Sequence, residues 1–234
     1  MRTTAIVAAY NEEKTIAHVL GVLSTSPLID EVIVVSDGST DRTVEIARTF
    51  DVRTIALREN QGKGYAMRVG TEYASNDNFF FCDADMFVTH EHVEALVRPV
   101  TAGECDMNIG VRHRGGFLNF FHLRLKCGPV LSGIRVLTRK VWDTVPQQYM
   151  ERFKIEAALN FFCARSSFRQ QHTLIYDLGH VTKESKRGVW DGLRSRGTMT
   201  SEVTLMLLDL YLFETWRWSS SEEEMPAAEY DLFE

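Results

Sequence analysis

Residues 78–85 read Asn78-Phe79-Phe80-Phe81-Cys82-Asp83-Ala84-Asp85, an apolar run that stops on two carboxylates. A run this short, bounded by polar residues, suits a strand buried on both faces better than a helix. Aspartates two positions apart leave the same side of an extended backbone, where both can share one divalent ion and its waters. The flanking sequence repeats the pattern. Thr3 to Ala9 is an apolar run, and Ile16, Val19, Leu20 and Leu23 follow at the spacing of one helix face. Asn11 suits the N-cap of that helix, with Glu12 and Glu13 at its positive end. Glu31 to Ser36 reads as a strand, Asp37 to Thr40 as a turn and Asp41 to Phe50 as a helix; Val52 to Leu57 and Lys63 to Tyr73 give a third strand and helix. After the aspartates, Val93, Leu96, Val97 and Val100 mark another helix. Such alternation predicts an α/β fold with a mostly parallel central sheet flanked by helices.

Ligands bind such sheets at the carboxyl ends of the strands. Those ends carry Asn11-Glu12, Asp37 and Asp83-Ala84-Asp85, acidic groups that call for a cation or for hydroxyls. The second half is less regular, with strands expected at Met107 to Val111, Ile134 to Leu137 and His172 to Tyr176 and helices at Phe117 to Leu125 and around Ile155 to Phe162. Gly179 to Gly188 reads as a polar, basic loop. One domain over 1–218 is expected, with a regular half (1–100) and a less regular half (101–218), and 219–234 reads as an acidic, disordered tail.

Of 234 residues, 44% are hydrophobic and 25% charged, the balance of a soluble globular protein. The net charge of −6 equals the charge of 219–234, so the rest is neutral and offers no general electrostatic case for nucleic-acid binding. Cys82, Cys105, Cys127 and Cys163 are widely spaced, which suits a reduced, cytoplasmic chain. The apolar start is too short for a secretory signal, and Val203 to Phe213 falls short of the ~20 residues of a membrane span. The 201–218 helix is instead a candidate packing or homodimer contact.

A dinucleotide-binding reading of Gly62-Lys63-Gly64 fails on order, because those glycines follow the third strand and complete no P-loop. The motifs Ala9-Tyr10-Asn11-Glu12-Glu13, Ser36-Asp37-Gly38-Ser39-Thr40-Asp41, Gly62-Lys63-Gly64 and Asp83-Ala84-Asp85, in this order, make the chain resemble family 2 of the nucleotide-sugar glycosyltransferases. Leu131-Ser132-Gly133-Ile134-Arg135, Phe153-Lys154-Ile155-Glu156 and the His180 loop are similar to soluble bacterial members such as glucosyl-phosphoglycerate synthases.

The resemblance implies a GT-A fold that binds a nucleoside diphosphate sugar, UDP-sugar first, with 1–100 as the nucleotide-binding half and 101–218 as the acceptor half. Ala9, Tyr10 and Glu12 would line the nucleoside, Glu12 and Asp37 would hold ribose or base, and Lys63 would lie near base or diphosphate. Asp83, Ala84, Ser132 and Gly133 would complete the donor pocket. Asp85 would bind Mg²⁺ or Mn²⁺ directly and Asp83 through water and ribose, with Phe87 standing where some relatives have a third ligand, Gln. His180 is the candidate third metal ligand, and Lys183, Lys186 and Arg187 are candidates for diphosphate or acceptor anion. His90 and His92 diverge at a helix start and read as structural. Glu156, beside the apolar stripe of its helix, is the candidate general base. The preferred acceptor is a small, soluble, phosphorylated hydroxy compound. Two alternatives stand beside it: a polyprenyl-phosphate glycosyltransferase using Phe117 to Phe121 and the Trp216-Trp218 end at a membrane surface, and a nucleotide-binding regulatory protein without transfer activity.

Overall fold

The structure, a computed structural model, describes residues 2–112, 132–150, 154–176 and 178–180. Strand β1 (Thr3–Ala9) leads to α1 (Ile16–Thr25), β2 (Glu31–Ser36) to α2 (Thr43–Ala47), and β3 (Arg53–Ala56) to α3 (Lys63–Tyr73). Strand β4 (Asn78–Asp83) passes through the short β5 (Met86–Phe87) to α4 (His90–Thr101). The second part holds β6 (Met107–Arg112), β7 (Ile134–Thr138), α5 (Arg139–Trp142), α6 (Lys154–Arg165), β8 (Gln170–Ile175) and β9 (Gly179–His180).

Seven strands form one sheet in the order β3-β2-β1-β4-β7-β6-β8, and β7 alone runs against the others. The expected mostly parallel α/β sheet is therefore present. Its apolar runs are explained by burial on both faces. Ala5, Val7, Ala9, Val34, Phe80 and Cys82 pack with α1, α2 and α4, whereas Ile6, Phe79, Phe81, Ile109 and Leu137 pack with α3, α5 and α6. Fully burying each large side chain contributes about 1.5–3 kcal/mol, so these two layers supply the main drive to fold. Cys82, Cys105 and Cys163 are buried and unpaired among the described residues.

Several local expectations are corrected. Asn11 is not an N-cap: its φ is 56°, and α1 starts at Ile16 with Thr15 before it. Asparagine tolerates this left-handed conformation because its side chain bonds nearby backbone. Here Oδ1 accepts the Thr40 N–H at 2.8 Å while the Asn11 N–H donates to Ser39 Oγ at 3.0 Å, lacing the loop after β1 to the loop after β2. Helix α2 is half the expected length: Asp41 stays outside it, accepting the N–H groups of Thr43 (2.9 Å) and Glu13 (3.1 Å), and residues 48–50 tighten into turns, with Thr49 and Phe50 N–H donating to the carbonyls of Ile46 and Ala47. Strand β4 ends at Asp83, so Ala84 and Asp85 lie in a turn and not in an extended segment. Residues 179–180, read as loop, pair antiparallel with β5. The expected helix at 117–125, the 201–218 helix and the tail from 219 lie outside the described residues. No helix among the described residues is long and apolar enough to cross a membrane.

Gly38 follows β2 with φ 71°, and a Cβ there would meet Asn60 N and Glu59 C at 2.6 Å. Gly103 has a similar φ of 73° but open space around it. Gly103→Ala should therefore lose only the left-handed backbone cost of about 1 kcal/mol, and Gly38→Ala about 2–3 kcal/mol through added overlap, in urea unfolding. Equal losses at the two sites would show that the loops after β2 and β3 do not touch as described.

Candidate active site

Because β7 is reversed, its start lies at the same sheet edge as the ends of β1, β2 and β4. The register sets Ala9 beside Ser36, Ala8 beside Asp83 and Cys82 beside Ile134. Four loops thus meet over one cleft.

Asp37, 4% exposed, accepts the N–H of Gln61 on Oδ1 (2.7 Å) and that of Gly62 on Oδ2 (2.8 Å). The residue expected to hold ribose or base thereby fixes the loop that opens α3. Each of its oxygens keeps a second lone pair for a ligand hydroxyl. The first residue of α3 is Lys63, whose Nζ lies 2.6 Å from Asp83 Oδ1 and 2.5 Å from Glu156 Oε1. Three residues singled out separately in the sequence are thus one cluster. Burial opposes the ammonium, yet the charges of Asp83 and Glu156 and their hydrogen bonds raise its pKa above the ordinary lysine value. The Asp83 carboxyl is pushed up to about 6, first by burial and then by Glu156 and Asp85, against the pull of Lys63.

Asp83 is also walled by Gly133, where an added Cβ would overlap its carboxylate. Its side chain still keeps 29% exposure, so a ligand can reach it. Ser132 donates to Gly110 O at 2.5 Å, which ties the turn before β7 to β6. Ala9 and Ala84 are buried in the apolar layer facing α1 and α4, and so offer a ligand backbone only. Tyr10 is 38% exposed at the cleft edge, and Glu12 Oε2 accepts from Thr15 Oγ1 at 3.0 Å.

Arg135, quoted in the sequence only as the end of a motif and given no role there, lies beneath Glu156. The guanidinium donates to the carbonyl of Glu156 at 3.2 Å and to Asn160 Oδ1 at 3.1 Å. Burial lowers its pKa, with Glu156 and Asp83 partly restoring it. An arginine inside an otherwise apolar strand, Ile134 to Leu137, was the available signal.

The acidic pair Asp83 and Asp85 offers hard oxygen donors of the kind that Mg²⁺ and Mn²⁺ accept. Among the described residues no three His, Cys, Asp or Glu side chains converge into a complete cage. The backbone register sets His180 opposite Met86, one residue beyond Asp85. Its side chain, with Lys183, Lys186 and Arg187, lies outside the described residues. His90 and His92 are structural, as expected: Nε2 of His90 pairs with Thr25 Oγ1 at 3.0 Å, and His92 completes a capping box with Thr89 and meets Tyr176 O at 2.9 Å.

Residues 4–170 match the sequence profile of Glycosyl transferase family 2. The chain belongs to this family. An uncharacterised glycosyltransferase of Escherichia coli, YaiP, is 42% identical over 89 residues, which are 36% of this chain and 22% of that protein. A dolichyl-phosphate β-glucosyltransferase of Drosophila melanogaster is 33% identical over 138 residues, 51% of this chain and 42% of that protein. The chain therefore spans less than half the length of these curated relatives. Glucosyl-3-phosphoglycerate synthase of Mycobacterium tuberculosis, in complex with Mn²⁺, UDP and phosphoglyceric acid, has a TM-score of 0.73 at 25% identity, covering 89% of this chain and 78% of that one. The family 2 fold is thus the GT-A arrangement expected.

A carboxyl whose folded pKa lies near 6, above the unfolded value of about 3.9, holds its proton longer in the folded state. Its contribution to stability is present below about pH 4 and lost as pH rises through about 6. Wild type should therefore lose stability relative to Asp83→Asn across that window in pH-dependent urea unfolding; a flat or opposite difference would place Asp83 in a different electrostatic setting.

Proposed function

We propose that this family 2 domain transfers a sugar from a nucleoside diphosphate sugar, UDP-sugar first, to a small soluble phosphorylated acceptor. The observation that carries the reading is the Lys63 ammonium held between Asp83 and Glu156. Lys63, Arg135, Asp83 and Glu156 balance one another in charge, and Asp85 adds a negative charge beside them. A divalent ion at Asp83 and Asp85 would leave the ammonium in surplus, and a diphosphate is the matching anion. Metal and nucleotide should thus bind together, each favouring the other.

A bound Mg²⁺ or Mn²⁺ would neutralise the charge that builds on the departing diphosphate. Glu156 would accept the proton of the acceptor hydroxyl as that oxygen bonds to the anomeric carbon. As that bond forms, the bond from the carbon to the diphosphate oxygen breaks, with the electron pair leaving on the diphosphate. Asp37 and Glu12 would hold ribose or base, Tyr10 would face the base, and Ser132 and Gly133 would border the sugar. For the acceptor, likeness to the mycobacterial synthase with its phosphoglyceric acid supports a phosphorylated hydroxy acid, and the basic run Lys183, Lys186 and Arg187 supports an anion. The likeness to the dolichyl-phosphate enzyme supports a second reading, a lipid phosphate acceptor.

Binding of UDP at about 100 times its Kd should add roughly 2.7 kcal/mol of stability with Mn²⁺ present. The melting shift should vanish in EDTA and shrink strongly in Asp85→Asn, which keeps the shape and removes the charge. An equal shift in EDTA would remove the metal from the reading. Glu156→Gln should lower kcat roughly 10²-fold with UDP affinity nearly unchanged, and unaltered turnover would move the base elsewhere. Release of UDP from UDP-glucose with 3-phosphoglycerate, compared with a vesicle-borne polyprenyl phosphate, separates the two acceptors.

A further inference from the structure

Arg135 is the largest fully buried side chain among the described residues, at 1% exposure. It stands in β7 opposite Phe81 of β4 and Ile109 of β6, on the face that Phe79 and Leu137 also line. An aliphatic side chain would suit that position for packing, and a buried guanidinium is tolerated only when its donors are matched. Here they are. Nε and Nη2 donate to the Ser132 carbonyl at 3.3 and 2.9 Å, Nη1 donates to the Glu156 carbonyl and Asn160 Oδ1, and Nη2 lies 4.0 Å from Glu156 Oε2.

These acceptors belong to two separate pieces of the cleft. Ser132 precedes Gly133, whose backbone walls the Asp83 carboxylate, and Glu156 and Asn160 lie one turn apart on α6. Lys63 also holds Glu156, but it is shared with Asp83, and in the proposed reaction it answers the diphosphate. Among the described residues Arg135 has no such second duty: its hydrogen bonds run beneath the cleft, to Glu156, Asn160 and Ser132.

Resting on the proposed transfer reaction, we infer that Arg135 is a positioning residue that holds Glu156 by its backbone carbonyl against the Ser132–Gly133 turn and serves as the standing countercharge of its carboxylate, 4.0 Å away, when Lys63 engages the donor. Arginine meets this demand where lysine cannot, because its planar fork serves a carbonyl on one side and a helix on the other in one fixed geometry. A purely structural arginine would tie α6 to the sheet, and its replacement would weaken folding without regard to the identity of residue 156.

The test is a double-mutant cycle in the full chain with UDP-glucose, 3-phosphoglycerate and Mn²⁺, reading UDP release alongside UDP affinity and melting temperature. Arg135→Lys, which keeps a cation and loses the fork, should lower kcat about tenfold while UDP affinity changes less than about twofold. In the Glu156→Gln background the same change should alter kcat less than about twofold, because the group it positions is gone. Arg135→Met should be more damaging than Arg135→Lys; should it fail to fold, the lysine variant alone decides. Additive losses in the cycle, or a parallel fall in UDP affinity, would overturn the inference while leaving the reaction intact. A wild-type chain that releases no UDP would overturn the proposed function, and this inference with it.

Discussion

A half-buried lysine ammonium held between two carboxylates is the constraint from which the rest of the site follows. Lys63 begins α3, Asp83 ends β4 and Glu156 lies in the first turn of α6, so one side chain links three elements on one face of the sheet. Removing an ion from water costs several kcal/mol, and only close partners offset it. The surrounding loops are built to keep those partners close. Asp37 holds the Gln61 and Gly62 amides that aim Lys63, Gly133 lets backbone lie against Asp83, and Arg135 anchors the carbonyl of Glu156. Loosening any of these would leave a buried charge poorly matched.

The repeating strands and helices of the first hundred residues were legible because buried parallel strands read as unbroken apolar runs, as in Thr3 to Ala9 and Asn78 to Cys82. Boundaries were less so. The start of α1 was misplaced because Asn11 carries both cap propensity and tolerance for positive φ, and contact with Ser39 and Thr40, far along the chain, decides between them. Sequence spacing cannot report that contact.

The site was legible residue by residue but not as a cluster. Lys63, Asp83 and Glu156 each stood out, yet Lys63 and Glu156 are 93 positions apart and meet only because α3 and α6 cover the same face of the sheet. Lys63 therefore read as a cation near base or diphosphate, when its partners in the structure are carboxylates. Arg135 was given no role for a related reason. The candidate site's carboxylates Asp37 and Asp83 stand at or just after strand ends, whereas Arg135 lies inside a strand, between Ile134 and Val136 in the sequence, and acts through its neighbours.

The reversed strand explains why one edge can carry all of this. In a wholly parallel sheet every loop at the binding edge would follow a strand, and each strand would reach it with its carboxyl end. Inserting β7 between β4 and β6 in the opposite sense brings an amino end to that edge, so residues 132–133 enter beside Asp83 instead of lying at the far side. Arg135 then sits two residues inside the strand, deep enough to be buried and close enough to reach back to Ser132. Had β7 run with its neighbours, the same sequence would place Arg135 at the opposite edge, away from Glu156. The direction of a single strand thus decides whether this buried charge is matched, and with it whether the cleft holds its carboxylates in place.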